Sequence, residues 1–388
     1  MSEADRHTTA DGTGMDIDES RAGLEKHMLA QADSVGELLE QFRSRISPAL
    51  IGGPGWDLLL ERTRELPISL ATSGFGFEVP LHKPELRADL GVALFQGSLS
   101  TAHFEDWCRA HPDDPSTVAA FRLLKMMRRE SVIQRIGGTK LMLEYDIDPE
   151  CVGPLPDPGI FLYPAPDAVS PKDSVRGLEG FQAAADAVAG AGGWRLEASE
   201  RHQIERLFSA MPPGTHIGSV GAFPARSDGL RIAITGFRKA RDLTGFLERT
   251  DWPARPEAVA PFLSEMEERD AFAHLAAHFD IPAKGGLGPS LGVSFYARDK
   301  QWVKEVDPWK ELIDGVGEHH LALPDKLSAL ATSWSGAEAV FGCGSMLLVV
   351  KGIHHIKLVF CGDRVEQAKA YVFVLILPPF PAAATAGR

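Results

Sequence analysis

The chain has 388 residues, of which 44% are apolar and 24% are charged, so it can bury a large core and belongs among globular proteins. Its formal net charge of −13 argues against nucleic acid or an anionic membrane as the main partner, and no basic stripe with interleaved aromatic residues offsets that charge. Four cysteines without CxxC spacing indicate a reducing compartment. With no signal pattern and no apolar run of membrane-spanning length, the sequence predicts a cytoplasmic protein.

The two ends of the chain differ in composition from the rest. Residues 1–32 are rich in Asp, Glu, Ser, Thr and Gly and lack periodic apolar residues, so we expect a disordered acidic tail there. The stretch 378–388 is similar in kind and is expected to be flexible. The remaining residues, 33–377, are predicted to form a single domain.

Pairs of short apolar segments recur five times along the domain, and each pair is separated by a turn or a polar loop. The predicted hairpins are 75–81 with 88–95, 139–147 with 159–163, 216–223 with 230–237, 279–282 with 290–297, and 353–360 with 367–376. Apolar residues at helical spacing fill the intervals and predict two helices before each hairpin. The predicted helices are 34–47, 56–65, 104–111, 116–133, 177–188, 198–210, 240–249, 256–278, 302–316 and 326–334.

Ten antiparallel strands are expected to close into a barrel, because closure removes every exposed sheet edge. The sequence therefore predicts an α/β (α+β) fold, a ten-stranded antiparallel β-barrel made of five ααββ repeats with the helices outside. One face of the strands is apolar, which suits packing under helices, as in Leu90, Val92 and Leu94. The other face is rich in Gly, Ala and Ser, which leaves a solvent-filled lumen on the order of 10 Å across.

Several polar side chains are predicted to face this lumen. Glu144 and Asp146 are two residues apart on one strand and point the same way, so they could bind a cationic or amide group, act as an acid/base pair, or form a salt-bridge network. His216 opens a strand and could be a base or a structural histidine. Neighbours on a strand point to opposite sides, so neither His319-His320 nor His354-His355 is expected to chelate a metal alone.

The order of elements resembles that of the ABBA (PT-barrel) aromatic prenyltransferases, over about 34–376. Two short sequence stretches strengthen the resemblance. "GFGFEVPL" is similar to the first strand of the fungal indole prenyltransferases, which implies that Glu78 holds and deprotonates the N–H of an aromatic acceptor. "AKAYVF" resembles the Lys-x-Tyr strands that grip a prenyl diphosphate, which implies that role for Lys369 and Tyr371. Arg231, Tyr296 and Lys357 would complete the diphosphate site.

The resemblance implies transfer of a prenyl group from an allylic diphosphate to an aromatic or other nucleophilic acceptor, in specialised (natural-product or peptide) metabolism. It implies no cofactor; Mg²⁺ is possible and not required, and no DDxxD-type motif is present. The inner face departs from the family pattern, since it carries more acids than bases. The acids are Glu78, Asp89, Glu144, Asp146 and Asp280, and the bases are Lys140, Arg231, Lys357 and Lys369.

Because a diphosphate carries about three negative charges, this acid-rich face keeps two further hypotheses open. In the first, the same barrel works without a diphosphate, by acid/base catalysis such as cyclisation on an amino-acid or peptide side chain. In the second, the barrel is a non-catalytic binding protein for a small molecule or peptide. None of the three hypotheses involves nucleic acid or a membrane.

Overall fold

The fold is one closed antiparallel sheet with helices packed around its outside. It is described by a computed structural model, which covers residues 17–129, 131–137, 140–150, 155–283, 285–298, 304–342 and 345–377. The ends of the chain beyond these residues, and the predicted helix and strand positions at 130, 139 and 302–303, lie outside the described residues. None of the described helices has both the length and the apolar character needed to span a bilayer.

Twelve α-helices are present in the described residues, mostly in pairs that precede a hairpin. They are α1 Ile17–Gln31, α2 Val35–Glu40, α3 Gly53–Thr63, α4 Leu99–Ala110, α5 Val118–Arg129, α6 Ser131–Arg135, α7 Ser174–Gly192, α8 Ala198–Ala210, α9 Ala240–Arg249, α10 Pro256–Glu268, α11 Lys310–Glu318 and α12 Pro324–Ser333. Side-chain caps fix several starts: Ser34 accepts a hydrogen bond from the Glu37 amide, and Ser98 accepts one from the Thr101 amide.

Eleven strands form the sheet in the part of the chain that the structure describes. They are β1 Gly74–Pro80, β2 Asp89–Phe95, β3 Lys140–Tyr145, β4 Gly159–Tyr163, β5 His216–Ala222, β6 Gly229–Phe237, β7 His274–Pro282, β8 Ser290–Tyr296, β9 Gly336–Gly342, β10 Ser345–Cys361 and β11 Arg364–Leu377. Strands β1 to β8 pair in sequence order, β8 pairs with β10, and β10 pairs with β11.

The barrel closes at the pairing of β11 with β1, where Gly74 lies opposite Leu375 and Glu78 lies opposite Tyr371. Ten strands, β1 to β8 with β10 and β11, complete the ring, so the predicted ten-stranded antiparallel barrel is confirmed. Each of its five hairpins follows helices, as the repeat in the sequence predicts.

The main hydrophobic core lies between the outward face of the strands and the helices. Phe75 and Phe77 of β1 point outward, and the ring of Phe77 makes edge contacts with Trp56 of α3 and with Trp334, which directly follows α12, with centroids 6.0 and 6.1 Å away. Phe75 contacts Phe42 in the same manner at 5.0 Å. Such aromatic packing joins the closing seam of the barrel to α3, to the segment after α2 and to the end of α12.

Strand β9 is an addition to the predicted plan. It pairs with residues 345–351 of β10, while β8 pairs with residues 356–361 of the same long strand. The sequence "GAEAVFG" does not predict a strand, because two glycines and two alanines give a weak alternating pattern over only seven residues. β9 therefore continues the barrel wall where β8 ends.

Two other segments differ from the sequence prediction. Helix α1 occupies Ile17–Gln31, inside the segment expected to be disordered, because Leu24 and Met28 are buried and the Glu25 carboxylate accepts hydrogen bonds from the first amides of α4. The predicted helix 256–278 is wrong at its end, since α10 stops at Glu268 and Asp270 has a positive φ of 54°. Strand β7 starts four residues later, at His274.

Candidate functional site

The inward faces of the strands line a lumen that solvent reaches. Along β1, Phe75 and Phe77 are buried under the helices, whereas Gly76 and Glu78 point inward and stay partly accessible. Strands β2 and β3 show the same alternation. Because helices cover the outer face, the accessibility of the inner residues comes from open space within the barrel. The predicted solvent-filled lumen is present.

Polar side chains of the lumen fall into two layers along the barrel axis, one near the five hairpin turns and one nearer the helical connections. The charged layer, near the turns, consists of Glu78, Asp89, Glu144, Asp146, Arg226, Arg231, Asp280, Lys357 and Lys369. The ring layer consists of Tyr163, His216, His274, Tyr296, His354, His355 and Tyr371.

Glu78 is held from two sides at the closing seam. Its Oε1 accepts a hydrogen bond from Lys369 Nζ at 2.5 Å, and its Oε2 accepts one from the Tyr371 hydroxyl. Desolvation by the barrel wall raises the pKa of Glu78, but the charge and hydrogen bond of Lys369, with the Tyr371 hydrogen bond, outweigh it and bring the pKa to about 2. Glu78 is therefore a carboxylate of fixed orientation and a weak base.

Two further ion pairs neutralise charge in this layer. Arg231 of β6 donates two hydrogen bonds to Asp280 of β7, at 2.7 and 3.0 Å. Arg226, in the turn between β5 and β6, makes a two-point contact with Asp146 just beyond β3, including a hydrogen bond from Nε at 2.8 Å. Such bidentate pairs fix both side chains, so Arg231 and Asp146 are oriented before any ligand binds.

Three groups of the charged layer titrate near neutrality. Desolvation, followed by repulsion from Glu78, raises the pKa of Asp89 and of Glu144 to about 7. Desolvation, followed by repulsion from Arg231, lowers the pKa of Lys357 to about 7. Perturbed pKa values of this kind, in a cleft, mark groups that could move a proton at physiological pH.

The ring layer contains a stack of four rings from four adjacent strands. His274 stacks on Tyr296 with centroids 4.5 Å apart, Tyr296 on His355 at 5.2 Å, and His355 on Tyr371 at 4.1 Å. Desolvation is the main factor that lowers the pKa of His355 well below its ordinary value, and the nearby His354 adds to it. The stack therefore presents the neutral imidazole of His355 and the phenols of Tyr296 and Tyr371 to the lumen.

The expectation that His354 and His355 face opposite sides is wrong. A β-bulge between Ile353 and His355 shifts the register of β10 against β11, and both rings lie beside Tyr296. Their Nδ1 atoms are 2.7 Å apart, so one donates a hydrogen bond to the other. Among the described residues, no group of three or more His, Cys, Asp or Glu side chains is placed to hold a metal ion.

The structure brings together most of the site residues proposed from the sequence. The charged layer contains Glu78, Glu144, Arg231, Lys357 and Lys369, and Tyr371 links it to the ring layer, where Tyr296 lies. Two candidates belong to the same two layers but differ in their surroundings. Asp146 is engaged by Arg226, and His216 lies at the helical end of the barrel, where desolvation and the nearby His274 lower its pKa to about 4.

Sequence reasoning missed several lumen residues, among them His274, His278 and Arg226. His278, whose Nε2 lies 2.8 Å from Ser294 Oγ, falls in a segment predicted as helix, although His274, Ala276, His278 and Asp280 alternate with larger apolar residues in the strand pattern. Arg226 lies in a turn, and only the pairing of β4 with β5 brings that turn next to Asp146.

We expect Tyr371→Phe to keep the stacked ring and to lose about 1 kcal/mol of stability at pH 7, because one hydrogen bond to Glu78 is removed. The low pKa of Glu78 gives stability that is present above pH 4.5 and lost as the pH falls through about 2. In the variant that pKa rises, so acid unfolding should begin at a higher pH.

Urea denaturation at pH 7 and an acid titration followed by circular dichroism measure both effects. Tyr163→Phe is the matched control, because the Tyr163 hydroxyl bonds to Ser219 and not to Glu78. Superimposable acid transitions for wild type and Tyr371→Phe would contradict the account of Glu78.

Comparison with known proteins places this geometry among solved structures. No protein-family model matches the sequence, and no curated protein is detectably similar to it. The structure of the prenyltransferase PriB in its apo form superposes with a TM-score of 0.51, at 14% identity over 92% of this chain and 98% of PriB. This chain has the prenyltransferase-barrel fold.

Other solved structures that match less well include AnaPT from Neosartorya fischeri, with a TM-score of 0.48, 9% identity, and coverage of 94% of this chain and 95% of AnaPT. The 5-dimethylallyltryptophan synthase from Streptomyces coelicolor matches with a TM-score of 0.43, 14% identity, and coverage of 90% and 97%. PriB has also been solved with L-tryptophan and dimethylallyl thiolodiphosphate. At these identities the similarity is one of fold, and the chemistry has to be argued from the lumen.

Proposed function

We propose that the protein is a prenyltransferase of specialised metabolism that transfers a prenyl group from an allylic diphosphate to an electron-rich aromatic acceptor in the lumen. The observation that carries the proposal is Glu78, a fixed carboxylate held by Lys369 and Tyr371 inside a closed barrel. PriB, whose fold this chain shares, binds an aromatic amino acid together with an allylic diphosphate analogue, which supports the same pair of ligands here.

Glu78 would hold the acceptor. A carboxylate with a pKa of about 2 stays ionised at physiological pH and accepts a hydrogen bond from an N–H or O–H of the acceptor ring. That hydrogen bond raises the electron density of the ring and fixes which carbon faces the prenyl group. Because Lys369 and Tyr371 lock the carboxylate, little ordering remains to be done when the acceptor binds.

Lys357, Lys369 and Arg231 would face the diphosphate, which needs charge-assisted donors. Lys357 is the amine of this layer that has no ion-pair partner within the described residues, and a bound diphosphate would raise its pKa and keep it protonated. The stack that includes Tyr296 and Tyr371 would present ring faces to the allylic cation. The lysines and arginine supply the positive charge, so the proposed reaction needs no metal; Mg²⁺ could add to it.

The transfer conserves atoms and charge. The bond between prenyl C1 and the diphosphate oxygen breaks, and its electron pair leaves with the diphosphate. A π pair of the acceptor forms the new bond to C1, and the acceptor then loses a proton, which restores its aromaticity.

A second candidate function is acid/base chemistry, such as cyclisation, on an amino-acid or peptide side chain without a diphosphate. Three cations of the charged layer, Lys369, Arg231 and Arg226, are already paired with carboxylates, which favours this alternative. Diphosphate binding would have to draw Lys369 or Arg231 partly away from its carboxylate, or add the diphosphate as a second partner.

A turnover assay separates the candidates. The protein is incubated with dimethylallyl or geranyl diphosphate and a panel of indoles, tyrosine, phenols and tryptophan-containing peptides, with and without EDTA, and the products are followed by mass spectrometry. A product heavier than the acceptor by one prenyl group, formed also in EDTA, supports the transferase. Mass changes without a prenyl group would favour the second candidate, and binding without any product would favour a binding protein.

A further inference from the structure

The proposed transfer releases a proton from the acceptor, and some group in the lumen has to accept it. Glu78 is poorly suited, because Lys369 and Tyr371 engage both of its carboxylate oxygens. The same contacts hold its pKa at about 2, so it binds a proton only weakly. The group that orients the acceptor and the group that takes its proton are therefore expected to differ.

The surroundings of Glu144 leave its carboxylate able to accept a proton from a ligand in the lumen. It lies on β3 opposite Gly91 of β2 and Gly159 of β4, so the residue paired with it on each neighbouring strand has no side chain. It points inward and stays partly accessible. In the part of the chain that the structure describes, it has no ion-pair or hydrogen-bond partner, in contrast to Glu78, Asp146 and Asp280.

Charged and titratable groups face Glu144 from the neighbouring strands and from across the lumen. On the neighbouring strands they are Asp89 of β2, two residues from Gly91, and Tyr163 of β4. The others are Glu78 on β1, Arg226 in the turn after β5, Arg231 on β6, Lys357 on β10 and Tyr371 on β11. Desolvation, then repulsion from Glu78, raises the pKa of Glu144 to about 7, against the opposing effect of Lys357 and the two arginines. A base with a pKa near the working pH is the most effective proton acceptor.

We infer that Glu144, and not Glu78, is the catalytic base that accepts the proton lost by the acceptor after the new bond to the prenyl group forms. The inference rests on the proposed function and assigns a separate residue to its last step. As the C–H (or N–H) bond breaks, its electron pair returns to the ring and the proton binds a Glu144 oxygen. The proton then passes to the departing diphosphate or to solvent in the lumen.

Within the charged layer, Asp89 and Lys357 are the other groups with a pKa near 7, and each already has a different role. The Asp89 carboxylate accepts a hydrogen bond from the Ile147 amide at 2.8 Å, which fixes it to the wall at the end of β2. Lys357 would have to be neutral to accept a proton, yet it has to be protonated to bind a diphosphate. Glu144 carries neither constraint.

The first test is the pH dependence of turnover. Wild type should lose kcat/KM as the pH falls through about 7, because the base of the free enzyme becomes protonated. Glu144→Gln should lower kcat by about 100-fold or more and abolish that limb, with KM little changed. Asp89→Asn should still lose rate as the pH falls through about 7. Glu78→Gln should show the same pH dependence, with a raised KM. An intact limb in Glu144→Gln would overturn the assignment.

The second test does not depend on turnover. A raised pKa means that the folded state binds this proton more tightly than the unfolded chain, so Glu144 costs the wild type stability as the pH rises from 4.5 to about 7. Glu144→Gln should therefore raise Tm at pH 8.5 by more than at pH 5.5. A fall in Tm, or a change independent of pH, would overturn the assignment whatever the substrate. If this pattern appears but wild type shows no prenyl transfer, the proposed function fails and the assigned role falls with it.

Discussion

Lys369→Ala should abolish prenyl transfer and lower stability. The variant removes a cation proposed to contact the diphosphate, and it leaves Glu78, whose side chain is 17% exposed, without its 2.5 Å partner. An unpaired carboxylate in the barrel wall costs about 1–3 kcal/mol, and its raised pKa also weakens its hold on the acceptor. We expect kcat/KM to fall by at least about 1,000-fold, since binding of both substrates is affected.

Lys351→Ala is the matched control. Lys351 also lies on a strand of the last hairpin and pairs with a glutamate, Glu338, at 2.8 Å. Its Nζ approaches the Arg45 carbonyl at 3.3 Å, so it faces the helices and not the lumen. The control should lose stability and keep turnover within a few-fold of wild type. Equal turnover in the two variants would show that Lys369 does not contact the substrates.

A double-mutant cycle with Glu78→Gln separates the two effects of Lys369→Ala. If the stability loss comes from an unpaired Glu78, then adding Glu78→Gln should recover part of it, because the uncompensated charge is gone. Turnover should not recover, because the double variant lacks both the proposed diphosphate contact of Lys369 and the proposed acceptor contact of Glu78. Urea denaturation and the mass-spectrometric assay on the four proteins give the cycle.

Gly74→Ala should be the most destabilising single substitution at the closing seam. Gly74 has a φ of +132°, and a Cβ there would lie 2.3 Å from the Val374 carbonyl oxygen on β11. The backbone conformation is close to glycine-only, and the neighbour is backbone that cannot move without breaking the β1–β11 ladder. We expect a loss on the order of 2–5 kcal/mol, measured by urea denaturation.

Gly97→Ala isolates the conformational part of that cost. Gly97 also has a positive φ, of +84°, but no atom lies within 4 Å of the position that its Cβ would take. It should lose about 1 kcal/mol, the cost of the backbone conformation alone. Equal losses in the two variants would mean that the β1–β11 contact at Gly74 is not as close as described.

The sequence predicts the barrel because the same pattern, helical segments followed by a hairpin, is repeated along the chain. Five hairpins, each after helical segments, leave few alternatives to closure, and the outward apolar face with a small inward face gives the lumen. The fourth hairpin was predicted too short, because "HLAAHFDI" is apolar enough to extend a helical pattern across Asp270, where the chain turns. The sequence does not predict strand β9, because its residues do not alternate. It does not predict α1 either, because contacts that hold this helix, such as the hydrogen bond from the Leu99 amide to Glu25, involve a helix far along the chain.

The sequence predicts which residues line the lumen but not which of them pair. Which residues face inward follows from alternation along each strand. Which of them touch depends on the register between strands far apart in sequence: Glu78 and Lys369 are separated by 291 positions, and the closing register makes Tyr371 the direct partner of Glu78. The bulge that turns His354 inward, and the meeting of Arg226 with Asp146, likewise follow from register and closure.

The measurement that most directly tests diphosphate chemistry in the lumen is thermal unfolding with dimethylallyl, geranyl and farnesyl diphosphates, for wild type, Lys369→Ala and Lys351→Ala. A ligand at about 100 times its Kd stabilises by roughly 2.7 kcal/mol, which raises Tm by a few degrees for a chain of this length. We expect a shift in wild type and in Lys351→Ala that is lost in Lys369→Ala. No shift with any diphosphate, or an undiminished shift in Lys369→Ala, would contradict the proposal.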